Sequence, residues 1–203
     1  MITIVDFGVG NLFSLDSSFR AIGQEVAISG DPDTVYHADK LILPGVGAFG
    51  DAARKLKKTG LGEAVKQSAA RGTPLLGICL GMQLLLQKSF EYGEHEGLAL
   101  IGGKVISLRE RIPEELKIPQ IGWNYLRFTK ASKLFKYIDE GAYVYFVHSF
   151  FADDCDEDTV AVTEYGAPVT AAVEHGNVFG CQFHPEKSGT VGLNILCAFC
   201  EEV

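Results

Sequence analysis

A chain of 203 residues is long enough to bury one substantial hydrophobic core and short for two. Its 47% hydrophobic, 22% charged and 10% aromatic residues are a globular composition, which excludes disordered, collagen-like and disulfide-scaffold classes. A formal charge of −8 repels phosphate backbones and removes nucleic acid as an expected partner, and the longest apolar run, residues 74–86, is broken by Gly77, Gly81 and Gln83 and falls short of the roughly 20 residues that span a bilayer.

The N-terminus, Met1 to Asp6, has no basic region and reaches an acid where a signal peptide would still be apolar, so no export is expected. Five cysteines (79, 155, 181, 197 and 200) are an odd number in a chain too large to need stapling, which points to reduced thiols in the cytoplasm.

In chain order, residues 2–5 read as a β-branched strand ending at Asp6-Phe-Gly-Val-Gly-Asn11, and Leu12, Leu15, Phe19 and Ile22 carry helical spacing closed by Gly23. A strand follows over 25–28, a short helix over 35–39, and a strand over 40–43 that stops at Pro44-Gly-Val-Gly47. Helical segments fill 49–71. Residues 74–78 form a near-continuous apolar run, as a strand buried on both faces does, and a helix over 81–87 begins just after Cys79. Beyond residue 100, strands come in closer succession over 104–108, 125–129, 143–147, 159–164, 169–174 and 178–183. Tyr165-Gly166 and His175-Gly-Asn177 make hairpin turns there, and a helix over 192–201 closes the chain. The pattern predicts one α/β domain over 1–203, a mixed central sheet with flanking helices and an antiparallel annex. The acidic run 153–158 reads as a solvated loop, and residues 109–120 and 150–158 yield no further assignment.

Gly77-Ile-Cys79-Leu-Gly81 has the G-x-nucleophile-x-G form of a nucleophile elbow between a buried strand and a helix. The turn strains the nucleophile's backbone, the flanking glycines leave room for it, and the helix N-terminus favours a thiolate. Read alone, the five residues fit a buried structural cysteine equally well. Of the five histidines, His184 stands in Gln-Phe-His-Pro-Glu186, where the proline holds the backbone extended and sends both side chains the same way, so that Glu186 can orient the imidazole; a surface ion pair at a strand end is the alternative. Pro44-Gly-Val-Gly47 ends a strand on the same sheet edge and offers backbone N–H groups to a developing oxyanion, with Leu80 as a further donor. Gly8-Val-Gly10 is too short for a dinucleotide fingerprint, Cys197-Ala-Phe-Cys200 lacks a second pair for zinc and reads as packing, and Arg54, Lys55, Lys57 and Lys58 read as a solvated helix face.

Together, Gly-Ile-Cys79-Leu-Gly-Met-Gln83 and Phe-His184-Pro-Glu186 strongly resemble the class I, triad-type glutamine amidotransferases. Asp6-Phe-Gly-Val-Gly-Asn11, Pro44-Gly-Val-Gly47, Gly122-Trp-Asn124 and His184-Pro-Glu-Lys-Ser-Gly189 narrow the likeness to the glutaminase subunits of imidazole glycerol phosphate synthases of histidine biosynthesis. The resemblance implies a Rossmann-like domain that hydrolyses L-glutamine to glutamate and ammonia, with Cys79, His184 and Glu186 as the triad and Val46, Gly47 and Leu80 as oxyanion donors. It further implies that Gln83, His148, Ser149 and Phe150 hold the substrate's α-amino and carboxylate ends. It implies a heterodimer with a (β/α)₈-barrel cyclase that receives the ammonia, with Asn11, Trp123, Asn124, Tyr145 and Lys187 facing that partner, and neither metal nor organic cofactor. His148 is a rival base on sequence alone, though without an acid two residues away. The family often has Pro-His ahead of Gly-Trp-Asn, where this chain has Pro119-Gln120. The competing readings are a partner-independent cysteine hydrolase of the same fold, a non-catalytic module, and a glutaminase serving another acceptor synthase. From the Gly-Val-Gly loop follows the expectation that the oxyanion donors stay misaligned until the cyclase binds its ligand.

Overall fold

The computed structural model describes residues 1–203, apart from the side chain of residue 202. In chain order the elements are β1 (Ile2–Val5), α1 (Leu12–Ala21), β2 (Val26–Ser29), α2 (Pro32–Tyr36), β3 (Lys40–Leu43), α3 (Phe49–Thr59), α4 (Leu61–Ala70), β4 (Leu75–Ile78), α5 (Leu80–Leu85), β5 (Lys88–Ser89), β6 (His95–Glu96), β7 (Lys104–Ser107), β8 (Gln120–Tyr125), β9 (Arg127–Phe128), β10 (Tyr143–His148), β11 (Phe150–Asp153), β12 (Thr159–Glu164), β13 (Pro168–His175), β14 (Val178–Cys181) and α6 (Gly189–Glu202).

Eight strands form one sheet in the order β2-β1-β3-β4-β14-β13-β12-β9. Its first five members are parallel, and β13, β12 and β9 continue it antiparallel. The central parallel strands β4 and β14 are buried along their whole length because both faces are covered, whereas β2 at the edge is partly exposed. Along β3, Leu41 and Leu43 join one core with Val35, Phe49, Leu56 and Val65 under α2, α3 and α4, while Ile42 joins the other with Leu15, Phe19, Leu196 and Phe199 under α1 and α6. Two smaller sheets, β10-β8 and β11-β7-β5-β6, flank the strand ends. Among the described residues, no helix is long and apolar enough to cross a membrane.

Four segments depart from the sequence reading. The short helix lies at Pro32–Tyr36 rather than 35–39, because Asp31 caps it by accepting from the Thr34 N–H at 3.0 Å and Pro32 occupies its first turn. The strand expected over 125–129 is two, β8 and β9, separated at Leu126, whose side chain is fully buried. The pattern of β8 misleads because its apolar residues Ile121, Trp123 and Tyr125 point to solvent, the reverse of ordinary alternation. The acidic run is not simply a solvated loop. Asp153 ends β11 and pairs with Arg111, Asp158 pairs with His175 at 2.8 Å, and Cys155 between them is buried. The helix after Cys79 spans Leu80–Leu85, shorter than 81–87 and starting one residue sooner. Both hairpins turn where Tyr165-Gly166 and His175-Gly-Asn177 place them.

Candidate active site

β4 and α5 meet at Cys79 with no loop between them, and the junction forces the cysteine to φ 55°, ψ −111°, a conformation unfavourable for any residue with a side chain. The flanking glycines permit it. A Cβ on Gly81 would lie 1.8 Å from the Leu43 carbonyl oxygen, and one on Gly77 would lie 2.7 Å from the Gly81 oxygen. The Cys79 N–H donates to the Cys181 carbonyl at 2.7 Å, which ties the elbow to the neighbouring parallel strand β14.

That same strand delivers the histidine. Three residues past its end, the His184 N–H donates to the Tyr145 carbonyl of β10 at 2.9 Å, and its own carbonyl accepts from the Ser188 hydroxyl at 2.6 Å. His184 is extended, but Pro185 opens a 3-10 turn over Pro185–Lys187, so Glu186 reaches its neighbour by curling back rather than along an extended strand as the sequence suggested. His184 Nδ1 lies 2.8 Å from Glu186 Oε1, with both side chains only 2% exposed. Burial opposes a charged imidazole here, yet the Cys79 sulfur and the Glu186 carboxylate outweigh it and push His184 up to about 9. The sulfur raises the ring through a hydrogen-bonding and a charge interaction, and buried Nε2 has no other partner. A buried ring nitrogen whose one neighbour is a nucleophile is poised to exchange a proton with it.

Cys79 and His184 open into one cleft of about 330 Å³, shared with Val46, Gly47, Leu80, Gln83, Glu91, Pro119, Val147, His148, Ser149 and Phe150. Its size suits an amino-acid-sized ligand. Gly47 adopts φ 106°, and neither its N–H nor that of Val46 donates to another described group. Leu80 begins α5, so its N–H has no intrahelical partner. Three residues whose N–H groups have no partner among the described residues thus line the same cleft as Cys79. His148 is no rival base. It is buried, and burial together with nearby His184 lowers it to about 4, against a hydrogen bond to Phe150 O that favours charge. Nδ1 donates to that carbonyl at 2.9 Å, and Nε2 meets the Gln120 side chain at 3.0 Å.

Residues 3–202 match the family model described as "Glutamine amidotransferase class-I". A protein of Sulfurimonas denitrificans named "Imidazole glycerol phosphate synthase subunit HisH" is 52% identical over 97% of this chain and 95% of its own length. Proteins of the same name from Caldanaerobacter subterraneus subsp. tengcongensis and Wolinella succinogenes are 48% and 49% identical, over 100% and 99% of this chain and 98% and 99% of theirs. The chain is a class I glutamine amidotransferase of the HisH family. Among solved structures, a glutamine amidotransferase (TM-score 0.76, 17% identity, 98% and 97% of the two chains) and PurLQS from Thermotoga maritima (TM-score 0.74, 19% identity, 98% and 96%) share the amidotransferase fold.

The residues that the resemblance assigns to a partner interface lie outside the cleft. Asn11 caps α1 by accepting from the Ser14 N–H at 3.3 Å. Trp123, 54% exposed, meets the Tyr145 ring edge-on at 6.1 Å across the β8-β10 pair, and Lys187 Nζ stands 5.9 Å over that same ring. Asn124 points the other way and donates to the Glu164 carbonyl at 2.8 Å, so its side chain ties β8 to the β12-β13 hairpin. Glu91 escaped the sequence reading, as did the contacts that Gln120 and Gln182 make beside the cleft. Glu91 reaches the rim and accepts from the Phe49 N–H at 2.5 Å. Gln120 buttresses His148, and Gln182, fully buried, lies against Cys79. Glu91 belongs to no readable motif; Gln120 stands just ahead of Gly-Trp-Asn124 and Gln182 opens Gln-Phe-His-Pro-Glu186, but neither motif tells which atom the amide meets.

Proposed function

We propose that this chain is the glutaminase subunit of an imidazole glycerol phosphate synthase and hydrolyses L-glutamine through a γ-glutamyl thioester on Cys79. The observation that carries the reading is the buried His184–Glu186 pair opening into the same cleft as a strained cysteine. His184 Nε2 holds the proton given up by the thiol, so that Sγ attacks the side-chain amide carbon as a thiolate, and the N–H groups of Val46, Gly47 and Leu80 receive the oxyanion. When the tetrahedral species collapses, the C–N bond breaks and His184 returns the proton to the leaving nitrogen, releasing ammonia. Water then attacks the thioester, with His184 as base, giving glutamate and the free thiol. At the far end of the substrate, the Glu91 carboxylate and the Gln83 side chain face the α-ammonium, and Ser149 and Phe150 flank the α-carboxylate.

The ammonia serves a cyclase subunit, read here as a (β/α)₈ barrel, that makes imidazole glycerol phosphate and aminoimidazole carboxamide ribonucleotide. Its docking surface is the outward face of the β8-β10 pair, where Ile121, Trp123, Tyr125 and Tyr143 are exposed beside Tyr145 and Lys187, with Asn11 at the start of α1. This face reaches the site directly, because β10 holds the His184 backbone through Tyr145. Five unpaired cysteines suit a cytoplasmic, reducing setting. Incubation with a diazo-ketone glutamine analogue, followed by peptide mass spectrometry, tests the reading. A single adduct on Cys79, lost in His184→Ala, is expected; labelling elsewhere, or none with partner and ligand present, refutes it.

A further inference from the structure

Gln182 is fully buried between the end of β14 and His184 and has no part in the steps above. Its backbone is fixed by donation to the Ala171 carbonyl at 2.8 Å. Its side chain touches the reacting sulfur: Nε2 donates to Cys79 Sγ at 3.7 Å, and Oε1 accepts from Gln83 Nε2 at 3.0 Å.

A single backbone carbonyl dictates which end of each amide faces which neighbour. Phe150 O can only accept, so the Gln83 atom 2.9 Å from it must be the NH₂ group. The second hydrogen of that group points at Gln182, which must answer with its carbonyl oxygen. The end of Gln182 left for the sulfur is therefore a donor. By the same logic, Gln83 has spent both hydrogens inward and its own oxygen is left as an acceptor.

An N–H donor stabilises an anionic sulfur more than a neutral one, because charge-assisted hydrogen bonds are the stronger. The other ionisable groups around Cys79 are His184 with Glu186 behind it, the Cys181 thiol, held neutral by burial, neutral His148, and Glu91 at the rim. Of these only His184 favours a negative sulfur, so an amide donor on another side has a distinct effect. We propose that Gln182 is a catalytic donor that stabilises the Cys79 thiolate and, through its oxygen, holds Gln83 with its acceptor turned to the α-ammonium of glutamine. The proposal rests on Cys79 being the nucleophile.

The test uses the full chain with its cyclase subunit and compares wild type with Gln182→Met, which keeps the volume and removes both polar ends. The pH profile of Cys79 alkylation by iodoacetamide should move upward by about one pH unit, a tenfold loss of thiolate at fixed pH or about 1.4 kcal/mol, and the KM for glutamine should rise about tenfold. In ¹⁵N-labelled wild type, the Gln182 side-chain NH₂ signals should shift with pH through the alkylation midpoint and stay fixed in Cys79→Ala. An unmoved alkylation profile in folded Gln182→Met overturns the proposal. If that variant does not fold, NH₂ signals that ignore the titration in wild type overturn it. Glutaminase activity surviving in Cys79→Ala would instead defeat the nucleophile assignment, whereas an inactive Cys79→Ala with an unaltered Gln182→Met defeats the Gln182 role alone.

Discussion

Replacing Glu186 by glutamine preserves shape and removes one charge, and its cost is calculable from the site. His184 stands at about 9 against an ordinary 6.5, a rise equivalent to about 3.4 kcal/mol in favour of the imidazolium. The rise survives the opposing effect of burial and is shared by Cys79 and Glu186. A charge-assisted hydrogen bond such as the 2.8 Å Nδ1–Oε1 contact contributes about 1.5–3 kcal/mol, so Glu186→Gln removes ten- to hundredfold of the preference. The amide can also turn its NH₂ toward Nδ1 and stabilise the wrong tautomer, an error that costs up to about 10⁴ in kcat in a serine-protease triad. Glutaminase assays of the variant, bound to cyclase and its ligand, should show kcat reduced about 10²- to 10⁴-fold. KM should be nearly unchanged, since Glu186 does not line the cleft. A kcat within twofold of wild type would refute the orienting role.

The two buried histidines give stability opposite pH limbs. His184, raised to about 9, contributes stability that is complete below about pH 6.5 and lost as pH rises through 9; His148, lowered to about 4, destabilises the fold as pH falls from 6.5 to 4. Urea melts at a series of pH values should show a maximum near pH 6.5, and His148→Gln should flatten the acid limb by about 3 kcal/mol. Lys40 Nζ donates to the carbonyls of Phe199, Cys200 and Val203 at the end of α6. Lys40→Met should therefore lower stability by about 2 kcal/mol and Tm by about 4–8 °C in calorimetry. Trp123→Ala should weaken cyclase binding about 30-fold by titration calorimetry, a loss of about 2 kcal/mol, with the melting curve of the free chain unaltered.

What was legible in the sequence was local. The elbow shows because Gly77, Cys79 and Gly81 must be adjacent for the turn to close, and the histidine–glutamate pair because two residues and a proline suffice to bring it together. The parallel strands show because burial on both faces writes an apolar run. Glu91 did not show, nor did the contacts of Gln120 and Gln182, since an amide or carboxylate gains its role from the group it meets across the fold, and Gln83 and Gln182 are 99 residues apart. β8 was misplaced for a related reason: a strand that offers Ile121 and Trp123 to solvent breaks the alternation that a chain read alone leads one to expect. The start of α2 was available in Asp31-Pro32, a capping acid followed by a first-turn proline, yet the helix was read three residues late.

Cys79, as the proposed nucleophile, performs the glutamine half of the reaction and nothing else. The direct measurement is product formation by the cyclase complex with either glutamine or ammonium as nitrogen source, for wild type and Cys79→Ala. The variant should lose glutamine-dependent turnover by at least about 10³-fold while ammonium-dependent turnover is unchanged. Retained glutamine-dependent turnover in Cys79→Ala would contradict it.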